Sequence, residues 1–245
     1  MTGMATSLKR LDKLPVTDQA TASLREYILS GALVPGARLT EVALAEQLGI
    51  GRATVRMSLN QLAFEGIVVK IPYTGWQVAE LSAKAIWEIW TLRGSLESLA
   101  ASVTATRLDD IVARKITDAR DNLFEACKRG AMDEVNLCDF GLHKTIVELS
   151  GHDRLREQYR LVEHQVRFYI ATSNTQVALD GDDVIGQHRP LINALLAGDP
   201  EAAAQEAWLH NVNEGRRLSE WLGDDNAHFP AWTPHRLPGL ERPSR

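Results

Sequence analysis

From Leu81 onward the sequence carries a single apolar periodicity, that of an α-helix, interrupted only by capping and stopping residues. The spacing predicts a long helix over 82–106, with Ser82 as N-cap and Ile86, Ile89, Trp90, Leu96 and Leu99 on its apolar face. A second is expected over 109–128, capped by Asp109 and ended near Gly130, and a third over 132–149, ended by Gly151. Three more are expected over 154–172, 182–196 and 200–222, the last opened by Pro200 at its first position. Helices joined by short connections, with no strand between them, pack as an antiparallel bundle, here of about six. Beyond them Pro230, Pro234, Pro238 and Pro243 predict an extended tail over 226–245.

The first third changes character more often. Residues 17–30 put Ala20, Leu24 and Ile28 on one helical face, with Thr17 available as N-cap. The run GALVPG breaks that helix, a short helix follows over 40–48, and Gly49-Ile50-Gly51 turns the chain into a third over 52–65. Gly66 stops it, and two β-rich runs over 67–71 and 76–80 flank the turn Pro72-Tyr73-Thr74-Gly75. That order spells a winged helix-turn-helix with a two-stranded wing. The expected fold is therefore all-α dominated: a winged domain over 1–80, a helical bundle over 81–225 and the tail.

Composition narrows the function classes. The 44% hydrophobic and 24% charged residues of this 245-residue chain match a globular protein and exclude global disorder. No run approaches the roughly 18 apolar residues of a membrane helix. The first residues lack the apolar core of a secretion signal, so a cytoplasmic location and no membrane partner are expected. A net charge of −5 excludes bulk polyanion binding. Residues 1–80, however, hold eight Lys/Arg against seven Asp/Glu, so any nucleic-acid contact comes from a few placed side chains there. Cys127 and Cys138 form no disulfide framework and no C-x-x-C pair.

Those placed side chains open the third helix. In a helix-turn-helix the second helix of the pair enters the major groove with its N-terminal residues toward the base edges. Arg52 and Arg56, four apart, share a face there, and Thr54 lies between them. An Arg fork bonds guanine O6 and N7, while Thr54 reaches a phosphate or a thymine methyl. Gly75 at the wing tip has no side chain to obstruct a phosphate. Two isolated arginines would as a rule only solvate a helix; the surrounding pattern reverses that reading. The stretch PGARLTEVALAEQLGIGRATVRMSLNQLAFEGIV resembles the N-terminal domain of the GntR family of bacterial transcription regulators, matching it at Pro35, Gly36, Glu41, Gly49, Arg52, Val55, Arg56 and Gly66. The resemblance implies double-stranded DNA contacts at Arg52, Thr54, Arg56 and Gly75. Gly51 replaces the usual Ser helix cap, and Val42 stands where some members carry a DNA-contacting Arg.

Inside the bundle, Asp139 and His143 stack on one helix face, His188 sits at helical spacing among Ile185, Leu191, Ile192 and Leu195, and His210 lies beside Ala203, Ala207 and Glu214. An O,N,N,N set suits a divalent transition metal, zinc or nickel first. Taken singly, each is more readily a hydrogen-bonded core residue or a surface one than a metal ligand, and His164 is a further candidate. The segments LRGSLESLAA, DFGLHKTIVELSGHDRL and HRPLINALLAGDPEAAAQEAWLH resemble the FCD effector domain of the FadR subfamily. That resemblance assigns the metal to Asp139, His143, His188 and His210, and a small carboxylate effector to Arg93. Trp90, three residues earlier on the same face, is a candidate wall of the pocket, though a tryptophan at helical spacing is more often core. Leu142 and His152 replace the usual Phe and Asn. The expected function is a metabolite-responsive regulator, a repressor, that binds an inverted-repeat operator as a homodimer. The alternative is a metal-dependent hydrolytic enzyme at the same Asp/His site, with Glu214 or Glu97 as acid or base. In that scheme the winged helix has no purpose.

Overall fold

A computed structural model describes residues 15–80, 82–178 and 180–223. The tail expected over 226–245 lies outside the described residues. The winged unit comprises α1 (Val16–Leu29), β1 (Arg38–Leu39), α2 (Glu41–Leu48), α3 (Arg52–Phe64), β2 (Val68–Ile71) and β3 (Gly75–Val78). The expected face of α1 is buried at Ala20, Leu24 and Ile28. It meets Val55, Leu59 and Leu62 of α3, all fully buried. Thr17 does not cap α1: the helix starts one residue earlier, after Pro15, and Thr17 is its second residue. Thr40 caps α2 through its hydroxyl, which accepts from the Ala43 N–H. Gly51 leaves α3 without a side-chain cap.

The wing differs from the expected two strands. Arg38 and Leu39 add a third, so the antiparallel sheet runs β1-β3-β2, with Arg38 opposite Gln77 and Leu39 opposite Trp76. Two residues show no alternation, and only the partner strand makes them a strand.

The bundle comprises α4 (Ala83–Thr106), α5 (Asp110–Arg129), α6 (Met132–Leu149), α7 (Asp153–Gln176), α8 (Gly181–Leu196) and α9 (Pro200–Trp221). Ser82 and Asp109 cap α4 and α5 as expected, and Asp199 caps α9 ahead of Pro200 at its first position. His152 takes the capping role at α7, its Nδ1 accepting from the Leu155 N–H at 3.2 Å. One expected core position fails: Leu99 is 45% exposed, while Arg93, Glu97 and Ser98 of the same helix are buried. The middle of the inward face of α4 is polar at Arg93, Glu97 and Ser98, because it lines the site described below, while Ile86, Ile89 and Trp90 before it are buried as expected.

Two glycines let α4 and α9 approach closely. A Cβ on Gly215 would sit 2.7 Å from Cδ1 of Trp90, and one on Gly94 would sit 2.9 Å from Cε3 of Trp208. Each indole therefore lies flat against the facing backbone, and Trp90 is a core residue with its ring edge on Tyr169. Against the winged unit the bundle presents α7, whose Arg167 donates two hydrogen bonds to Glu26 of α1, at 3.0 and 2.8 Å.

Candidate metal centre and nucleic-acid interface

Asp139 and His143, one turn apart on α6, meet His188 of α8 and His210 of α9 in the bundle core. His143, His188 and His210 each offer a ligand atom within 4.8 Å of the others, and all three are buried. Asp139 joins them, its Oδ1 lying 3.2 Å from Nε2 of His188 and 3.5 Å from Nε2 of His143. The Nε2 atoms of His143 and His188 are 3.3 Å apart. His164, the further candidate, is elsewhere: its Nε2 lies 3.7 Å from Glu65 where α7 faces the winged unit.

The far sides of the His188 and His210 rings are tied to carbonyl acceptors. Nδ1 of His188 donates to the Val184 carbonyl at 2.8 Å, and Nδ1 of His210 donates to the Gln187 carbonyl at 3.3 Å. Nδ1 of His143 lies 2.9 Å from Oε2 of Glu97. A proton held on Nδ1 leaves the Nε2 lone pair directed inward, which is how imidazoles are held when they ligate metals. Nε2 of His210 is buried with no hydrogen-bond partner among the described residues. That orphaned acceptor beside two further imidazoles and a carboxylate fits a late divalent ion.

The electrostatics agree for Asp139 and His210. Burial pushes the Asp139 carboxyl up, but His188 and His143 outweigh it and hold the group well below the usual carboxylate range. Burial, with His188 and His143 nearby, holds the His210 imidazolium well below its usual value, so the ring is neutral and able to ligate. For His143 burial lowers the value, yet the Glu97 carboxylate overrides it and raises it to about 9, so this ring has to release a proton before it can ligate. Asn174 of α7 donates to Oδ2 of Asp139 at 2.9 Å and fixes the carboxylate. Sequence reasoning missed Asn174, because the end of α7 beyond 172 has no apolar period to mark it.

Arg93 adjoins this cluster, but its fork is already engaged. Its Nε donates to Glu97 at 2.7 Å and its Nη1 to Glu214 at 3.0 Å, so a carboxylate arriving from outside finds Nη2 alone without a partner. Glu97 also accepts from Tyr159 at 2.8 Å and from Asn211 at 2.9 Å. The Oε2 of Glu214 that holds Arg93 lies 3.4 Å from Nε2 of His210. An internal carboxylate thus spans the gap between the guanidinium and the imidazole cluster.

The other site lies on the winged unit. Arg52 opens α3 and is exposed, Thr54 is half-buried, and Arg56 is exposed on the same face. Gly75 has φ +114°, and nothing lies within 4 Å of a Cβ built there. The adjacent Tyr73 has φ +64° and is fully exposed at the wing tip. Arg38 braces that turn, its Nη2 donating to the Thr74 carbonyl at 3.0 Å. The role of Arg38 escaped the sequence reading, which took the wing to begin after Gly66. Burial pushes the Cys127 thiol up to about 11, and Cys138 is half-buried; both are free thiols.

Residues 16–78 match the family described as bacterial regulatory proteins, gntR family, and residues 88–213 match the FCD domain. A protein of Paenarthrobacter nicotinovorans named a "probable D-xylose utilization operon transcriptional repressor" is 27% identical over 209 residues, 85% of this chain and 91% of that protein. The HTH-type transcriptional repressor GlaR of Escherichia coli is 27% identical over 190 residues, 74% of this chain and 86% of that protein. Among solved structures, E. coli McbR/YncC shares the fold at a TM-score of 0.69, with 22% identity, over 87% of this chain and all of that one. Its two matched domains place this chain in the GntR family of bacterial transcriptional regulators, in the subfamily that carries an FCD domain.

Proposed function

We propose that this transcriptional regulator reads an inverted-repeat operator as a homodimer and responds to a small carboxylate effector at a metal site in its bundle. The observation that carries the reading is the convergence of three buried imidazoles, two of them anchored through Nδ1 to backbone carbonyls, with the Asp139 carboxylate beside His143 and His188. Asp139, His143, His188 and His210 would hold the ion, zinc or nickel by donor set. Such an ion supplies a positive centre that attracts an anionic ligand. Arg93 and Glu214 set the terms of entry, since an effector carboxylate that reaches Arg93 competes with Glu214 for the same guanidinium. The winged domain over 1–80 and the effector domain over 81–225 meet at α7, which touches Asp139 through Asn174 and the winged unit through Arg167. Occupancy of the centre is thereby coupled to the placement of the recognition helix, as linkage requires when an effector favours one arrangement.

A homodimer is supported by the exposed apolar residues Trp87, Leu92 and Leu99 of α4, which face away from the core. Elemental analysis of the purified protein tests the centre: near-stoichiometric zinc or nickel is expected, and its reduction in His143→Ala and His188→Ala. Protein purified without chelator that carries no transition metal, and takes up none on dialysis, refutes the metal reading. A panel of small carboxylic acids in thermal unfolding tests the effector, which should raise the midpoint without being consumed.

A further inference from the structure

One carboxylate joins the recognition helix to the wing. Glu41 is the first residue of α2, immediately after the Thr40 cap, where a negative charge is favoured by the helix N-terminus. Its Oε1 accepts from Nε of Arg56 at 2.9 Å, and its Oε2 accepts from Nη2 at 2.7 Å. The same Oε1 accepts from Nε1 of Trp76, on β3 of the wing, at 3.1 Å. Trp76 is 3% exposed, so this anchor is fixed by packing. Arg56 remains open outward, with 55% of its side chain exposed.

A guanidinium has five N–H donors arranged as two forks. Glu41 takes the fork formed by Nε and Nη2. The fork of Nη1 and the outer Nη2 hydrogen is left, and it leads away from the carboxylate. An arginine so held has lost the rotamer freedom that lets a free one follow any nearby phosphate, and its charge is offset locally. Arg52, at the start of α3, is exposed and makes no side-chain hydrogen bond among the described residues, so it keeps its rotamer freedom although its charge also acts on Glu41.

We infer that Glu41 is a specificity-determining positioning residue: through Trp76 and Arg56 it fixes one guanidinium fork for a guanine edge and withholds that arginine from non-specific phosphate binding. Arg56 therefore reads sequence and contributes little to the salt dependence of binding, whereas Arg52 contributes to both. Guanine O6 and N7 are the partners such a fork suits. The roles differ although the two arginines are chemically identical and one turn apart.

The test uses the full-length protein and a library of random-sequence duplexes, enriched by binding and sequenced, for wild type, Glu41→Gln, Trp76→Phe and Arg56→Lys. Wild type should select a motif with an invariant guanine. In Glu41→Gln that guanine preference should fall about tenfold. Affinity for a scrambled duplex should rise, and the slope of log K against log[salt] should steepen by about one unit for each arginine released. Trp76→Phe keeps the ring and loses the N–H, and should show the same change in smaller degree. Arg56→Lys should lose the guanine preference, and adding Glu41→Gln to it should cost no further selectivity. An unchanged motif and salt slope in Glu41→Gln overturns the inference. Equal loss of selected and scrambled binding overturns it too, since that is the signature of a merely structural residue. If Glu41→Gln fails to fold, as judged by its thermal midpoint, Trp76→Phe and Arg56→Lys decide by the same criteria.

Discussion

Arg52 and Asn174 show how much a single side chain carries here. Arg52 is exposed at the N-terminus of α3 and ties nothing together. Arg52→Ala is therefore expected to weaken operator binding by about 1–3 kcal/mol while the thermal midpoint stays put; gel shifts beside calorimetry check it. Asn174 is 3% exposed and holds the second oxygen of Asp139. Asn174→Ala should lower metal affinity about 10- to 100-fold, measured by competition with a chromogenic chelator, because outer partners orient the ligands. The four candidate ligands were legible as residue types at helical spacing. Their anchors were not, since Val184 and Gln187 contribute carbonyl oxygens that no sequence pattern distinguishes.

Helices α4, α7 and α9 carry the next level. The contact of α4 with α9 rests on Gly94 and Gly215, each facing an indole. Gly215→Ala forces its methyl against Trp90 and should destabilise the fold by about 1–3 kcal/mol, read from denaturant midpoints. Because Trp90 also lies 4.6 Å from the Arg93 guanidinium, the same change should disturb the site. On α7 the Arg167 hydrogen bonds hold the Glu26 carboxyl below its usual 4.5. A carboxyl with a lowered value stabilises the docked state fully above the unfolded value and loses that contribution as pH falls through the lowered one. Acidification from pH 7 should thus leave this contact intact down to about 4.5 and weaken it below. Arg167→Ala should release it at every pH, seen as faster amide exchange in α1. Element boundaries in the bundle were legible because Ser, Asp, Gly and Pro mark them. The third wing strand was not, because two residues have no period, and neither was the polar middle of the inward face of α4.

At the scale of the whole molecule, a bound ion stabilises the folded chain in proportion to its affinity, since the unfolded chain has no preformed centre. Chelation of metal-loaded protein should lower the thermal midpoint by several degrees, and re-addition of zinc or nickel should restore it. In His188→Ala neither treatment should move it. The division into a winged unit and a bundle and the order of the elements were settled by local signals: apolar period, caps, stops and a run of motif residues. Those depend on neighbours within a few positions, which any chain displays along its length. Convergence is another matter. Asp139, His188 and His210 are separated by dozens of residues, and only the packing of α6, α8 and α9 brings their tips together. Tertiary structure likewise decided that Arg56 is held by two hydrogen bonds to the Glu41 carboxylate and Arg52 is not. A pair interaction between distant segments depends on angles and distances that the packed core sets, and no periodicity records them.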